Sequence, residues 1–116
     1  ITFVSQYCPT GKLSRVLKKK KTTLYYNRPL QAEGLNRIVI RIGQFTSGLV
    51  TEYKKARYLH AKCIIFTFED GSKAAITGSH NFAYTGVLLG TREIALETRD
   101  PKIISQLETF IEKEVK

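Results

Sequence analysis

The sequence predicts an α/β fold, a mixed β-sheet sandwiched by helices, on three observations. Short segments rich in β-branched and aromatic residues alternate with segments of helical apolar spacing, the pattern of a sheet covered by helices. The stretch Leu59–Phe68 is apolar on both faces beyond Lys62, as an interior strand is. Asp100-Pro101 opens the last apolar-periodic stretch, with Asp suited to the N-cap and Pro to the first helical position.

Taken in order, residues 2–7 alternate and favour a strand. Thr10 is an N-cap for a short helix over 12–20, with Leu13, Val16 and Leu17 as its apolar face. Thr23–Tyr26 is a second strand. Leu35, Ile38, Val39, Ile42 and Phe45 follow helical spacing, although Ile38, Ile40 and Ile42 also alternate. The length of the stretch favours a helix over 31–45. Leu49–Tyr53 is a short strand, and Lys54-Lys55-Ala56-Arg57 a basic loop leading into the strand at Leu59. Glu69-Asp70-Gly71-Ser72 is a hairpin turn, with Lys73–Thr77 as the returning arm. Asn81–Leu89 is a loop and Arg92–Thr98 a further strand. Ile103, Ile104, Leu107, Phe110 and Ile111 mark one face of the terminal helix.

At 116 residues and 42% hydrophobic content the chain fits one ordered domain, residues 1–116. It begins with Ile and contains no Met, so the expectation is a piece of a longer protein. No apolar run is long enough for a transmembrane span, which makes the expected location cytoplasmic with at most a peripheral membrane contact. Cys8 and Cys63 form no zinc pattern and no Cys-x-x-Cys. Cys63 fits a buried strand as a small hydrophobe, and a Cys8–Cys63 disulfide is the less favoured alternative. Residues 1–62 hold thirteen Lys and Arg against Glu33 and Glu52, a net of +11, whereas residues 63–116 hold six against eight acids, a net of −2. That asymmetry suggests an anionic substrate such as nucleic acid or acidic phospholipid. Lys18-Lys19-Lys20-Lys21 by itself reads equally well as the solvated end of a helix, where cations complement the helix dipole.

The chemistry-bearing residues are His60-Ala61-Lys62 and Gly78-Ser79-His80-Asn81-Phe82. On an extended segment, residues two apart share a side, so His60 and Lys62 point the same way. A lysine at the edge of a buried strand needs a partner, because a bare buried ammonium is costly. No carboxylate lies near it in sequence, and a phosphate oxygen would serve. Gly78 either permits a close backbone approach or is a simple turn glycine.

These residues resemble the phospholipase D superfamily, whose signature is a His-x-Lys, a downstream aspartate and a Gly-Ser-x-Asn. The flanks are similar too: Ile1–Pro9 looks like the opening strand of one repeat, and Gly90–Leu96 like the strand after the motif that carries a glutamate. Essentially the whole chain aligns with one phospholipase D-like repeat. It resembles the C-terminal half of a cardiolipin or phosphatidylserine synthase. In one departure Thr67 stands where the family's aspartate would be, and Asp70 falls in the hairpin turn. A lengthened hairpin accounts for this, and no catalytic role passes to Asp70.

What the resemblance implies is phosphodiester hydrolysis or phosphatidyl transfer through a phosphohistidine on His60. Lys62 and Asn81 would hold the non-bridging oxygens, Ser79 would donate to the phosphate or its neighbours, and Glu93 would orient His60 through its second ring nitrogen. His80, at the variable position, would face away. No cofactor and no metal is implied. The family uses two such motifs across a pseudo-twofold axis, so the expected partner is a second repeat from a missing N-terminal half, or an identical chain. A homodimeric nuclease acting on DNA or RNA is the alternative, and a nucleic-acid-binding module without catalysis a third reading. Tyr7 and Tyr84 could line a pocket. Tyr25, Tyr26, Tyr53 and Tyr58 could stack on bases, although core or rim packing is the commoner explanation of such tyrosines.

Overall fold

Period-two alternation builds the centre of the molecule. In the computed structural model, which describes residues 1–9, 11–27, 48–55, 59–79 and 93–116, six strands form one mixed sheet. They are β1 (Thr2–Val4), β2 (Thr22–Asn27), β3 (Val50–Lys55), β4 (Cys63–Thr67), β5 (Lys73–Gly78) and β6 (Ala95–Thr98). The spatial order is β3-β2-β1-β4-β5-β6. β3, β2 and β1 run parallel, and the direction alternates from β1 through β4 and β5 to β6. The first parallel pair is joined through a short helix, α1 (Gly11–Leu17), as a parallel connection requires.

Alternate residues of the central strands feed two cores. Phe3, Leu24, Tyr26 and Ile64 pack with Leu17 of α1 on one face. Val4, Tyr25, Cys63, Ile65 and Ala75 pack on the other, under Ile104, Ile111 and Val115. Those three belong to helix α2 (Pro101–Phe110) and the wider π-type turn Ile111–Val115 that continues it. Asp100 caps α2 as expected, accepting from the Lys102 N–H at 2.9 Å, with Pro101 in the first turn. The sandwich is therefore the predicted one. It also disposes of the disulfide alternative: Cys8 and Cys63 are free and belong to cores on opposite faces.

Several boundaries move. β1 stops at Val4 instead of running to residue 7; past it, Ser5 N–H and Asn27 N–H tie β1's continuation to β2 through Tyr25 O and Gln6 O. α1 stops at Leu17 because the buried Thr22 hydroxyl bonds Leu17 O and Lys20 O (3.1 and 2.9 Å), closing the chain into a turn. Val16, read as part of its apolar face, is 55% exposed, since seven residues bury only the narrow stripe around Leu17. Lys54 and Lys55 are not loop residues but end β3, in register with Tyr26 and Asn27. The motif strand begins at Cys63, not Leu59. Ile103 and Phe110 stay exposed on α2. Thr10 as a cap, the 31–45 helix, Ala56, Arg57 and the 81–89 loop lie outside the described residues.

The β4–β5 hairpin turns as predicted. Gly71 takes φ = 84°, a left-handed value that favours glycine, and Asp70 accepts from the Ser72 N–H and hydroxyl (2.9 and 2.6 Å). Those bonds hold the Asp70 carboxyl below the usual range. At the other end of β5, Gly78 is the close-approach glycine. A Cβ there would meet Ile94 O at 2.2 Å and Ala95 Cα at 2.8 Å. Gly78→Ala is therefore expected to cost about 1–3 kcal/mol by overpacking and to loosen β6 from β5. A denaturant midpoint, with amide exchange of β6, checks this; unchanged values would contradict the close approach.

Candidate active site

The carboxyl-terminal ends of β1, β2, β3 and β5 and the amino-terminal ends of β4 and β6 meet along one edge of the sheet. His60 and Lys62 lie there, on the irregular segment leading into β4. Their neighbours across the edge are Ser79, just past β5, and Glu93, just before β6.

With no strand ladder over residues 59–62, side chains hold this backbone. Asn27, the last residue of β2, accepts the Leu59 N–H at 2.6 Å and donates its amide to Leu59 O at 2.9 Å. The Lys62 ammonium donates to His60 O at 2.7 Å. The Thr77 hydroxyl donates to Lys62 O at 3.0 Å. These side-chain donors satisfy the Leu59, His60 and Lys62 carbonyls from within the protein.

Lys62 is 7% exposed. Desolvation depresses its pKa, and the negative charge of Glu93 opposes that shift. The carboxylate that the local sequence lacks thus arrives from a residue 31 positions later. Glu93 also accepts the Ser79 hydroxyl. Ser79 N–H donates to Ile94 O at 2.9 Å and Ile94 N–H to Ser79 Oγ at 3.1 Å, so this corner is locked by reciprocal bonds. His60, Lys62, Ser79 and Glu93 are therefore brought to one edge. Asn81 and His80 lie outside the described residues. Asp70 sits at the far end of the hairpin, capping its own turn, in keeping with its exclusion from the chemistry.

His60 itself is exposed. A cavity of ≈ 220 Å³ opens beside it, walled by Leu59, Ala61, Phe110 and Val115 and edged by Lys55 and Glu114. This explains why Phe110 leaves the helix's buried face. Neither Phe110 nor Glu114 carries a sequence signal for the site. Asn27 carries one only as a polar residue that is 1% exposed at the end of an apolar strand, and burial is not visible in sequence.

The geometry also decides between the readings left open for the lysine run and the tyrosines. Lys18–Lys21 precede Thr22, the start of β2, whereas the candidate site lies at its end, roughly 20 Å away for a six-residue strand. The run does not line the site; Lys54 and Lys55 are the basic residues at the correct end of the sheet. Tyr25 and Tyr26 are core residues, not a stacking platform. The Tyr26 hydroxyl donates to Glu52 at 2.8 Å, and Tyr53 stacks on Tyr25 at 5.1 Å between centroids. Tyr7 packs against the α1-side core. Tyr58 and Tyr84 are not among the described residues.

A family model described as cardiolipin synthase, PLD-like domain, matches residues 14–115. The chain belongs to the phospholipase D-like family. Neither a curated protein nor a solved structure shows significant similarity to it. As a PLD-like domain it has the fold of a phosphodiesterase or phosphatidyltransferase, and its His-x-Lys lies at the sheet edge that also holds Ser79 and Glu93. No helix among the described residues is long and apolar enough to cross a membrane.

Proposed function

We propose that this PLD-like domain transfers or hydrolyses phosphodiesters of phospholipids through a covalent phosphohistidine on His60. The observation that carries the reading is the buried Lys62 ammonium beside His60 at an exposed sheet edge. A cation kept there at a desolvation cost gains most from an anionic ligand. A phosphodiester repels nucleophiles, so its charge must be neutralised while the attacking atom is aligned. Lys62 neutralises a non-bridging oxygen, with Asn81 as its partner on that group. Ser79 gives its hydroxyl proton to Glu93 and so holds that carboxylate at the same edge.

One His60 ring nitrogen attacks phosphorus. The P–N bond forms, the P–O bond to the leaving alcohol breaks, and an acid opposite protonates the departing oxygen. Water, or a second alcohol, then attacks phosphorus, gives its proton to the group that had protonated the leaving oxygen, breaks the P–N bond and returns His60 neutral. The apolar wall of the adjoining cavity, Phe110, Leu59 and Val115, favours a lipid-derived group there. The cardiolipin synthase description of the matching family supports the same substrate class.

Vesicles containing phosphatidylglycerol, assayed beside single-stranded DNA in excess chelator, test this. Release or transfer of the headgroup, with an acid-labile phosphate on His60, is the expected result. Turnover confined to DNA supports the nuclease reading instead, and activity that requires added zinc or magnesium would overturn the histidine-nucleophile mechanism.

A further inference from the structure

We infer that Asn27 is a positioning residue that sets the place of His60 at the sheet edge; the catalytic consequence rests on the nucleophile reading above. Asn27 ends β2, and its side chain is buried among apolar strands. Its two polar atoms serve a single residue: the carbonyl oxygen accepts Leu59 N–H and the amide donates to Leu59 O. Leu59 is the residue immediately before His60. The side-chain amide supplies one donor and one acceptor in a plane, the same pair that a neighbouring strand would offer.

The need for such a substitute follows from the topology. β1 pairs with β4 only as far as Val4 with Cys63, and its continuation turns to β2. Residues 59–62, ahead of Cys63, lie outside the strand ladder formed by the described residues. Leu59 is itself buried, so its peptide groups need hydrogen bonds from within the protein. Asn27 provides both, and in doing so fixes the backbone from which the His60 ring projects. Lys62 then grips His60 O and Thr77 grips Lys62 O, so with the two from Asn27 four bonds fix the segment from its start to its junction with β4. An apolar residue of similar size could fill the volume at Asn27 but could not fix Leu59.

The test uses the full chain with Asn27→Leu and Asn27→Asp. Asn27→Leu keeps volume and removes both bonds. Asn27→Asp keeps the acceptor for Leu59 N–H, and regains a donor for Leu59 O only when its carboxyl is protonated. With a chromogenic phosphodiester, the expected loss is in kcat, roughly 10²-fold for a misplaced nucleophile, with KM within about threefold. The His60 ring resonances should shift and the Leu59 amide should lose protection from exchange. In Asn27→Asp both NMR signals should return towards wild type as pH falls from 8 to 5, and in Asn27→Leu they should not.

A folded Asn27→Leu variant with unchanged His60 resonances and unchanged kcat would overturn the assignment. Should neither variant fold, the wild type decides: a Leu59 amide that exchanges as fast as an exposed loop overturns it, and one protected like the β4 amides supports it. If the wild type turns over no phosphodiester even where it is dimeric, the proposed reaction fails while the His60 and Leu59 resonances still decide the positioning role.

Discussion

Replacing His60 by alanine is expected to lower phosphodiester turnover by roughly 10⁴-fold or more, the scale seen when a covalent nucleophile is removed. The loss should appear in kcat and kcat/KM together, because the P–N bond exists only along the reaction path. Stability should hardly change. His60 is exposed, and its backbone carbonyl, which Lys62 binds, survives the substitution. An exposed change of this kind stays within about 0.5 kcal/mol. Phosphate binding should also persist, since the charge that holds it belongs to Lys62. Steady-state kinetics, a thermal midpoint and a phosphate titration on the one variant separate these effects. Near-normal turnover would reassign His60 to structure. A lost midpoint with lost activity would show that the imidazole holds the edge together.

What could be read in advance follows from how local each signal is. Period-two alternation is local, so β2, the β4–β5 hairpin and the two-faced core were legible. The Asp100-Pro101 helix start is also local, and it stands where expected. Strand ends were not legible, because they depend on partners distant in sequence. β4 begins at Cys63 only because β1 ceases to pair there, and β3 extends to Lys55 only because Asn27 lies opposite. The site divides in the same way. Motif spacing and the resemblance single out His60, Lys62, Ser79 and Glu93, and the sheet sets these four at one edge. Asn27 and Thr77 act through side chain-to-backbone bonds across |i−j| = 32 and 15, which no local pattern encodes. The carboxylate near Lys62 was missed as a neighbour for the same reason, although Glu93 had been singled out for another role. The basic run is left with its reading as a solvated helix end, because the direction of β2 sets it at the opposite end of the sheet from the candidate site.

A single 116-residue chain carries one His-x-Lys, and this sets the second large effect. In the proposed mechanism His60 attacks phosphorus and the departing alkoxide needs a proton from the opposite side, for which these 116 residues hold no second His-x-Lys. General-acid assistance contributes roughly 10²–10⁴-fold. A strictly monomeric sample is therefore expected to fall short of the paired form by about that factor, while still binding sulfate or phosphate at Lys62, Ser79 and Asn81. If two chains associate, the contact should be isologous, since a twofold axis is what sets two copies of one sheet edge face to face. Specific activity should then rise with concentration over the range in which sedimentation shows dimer forming, and mixing His60→Ala chains with wild type should give heterodimers that lack either nucleophile or acid. Full activity from monomer would remove the need for an opposed acid. A dimer whose two His60 residues lie far apart, measured through spin labels beside each, would show that association and catalysis are separate properties of the domain.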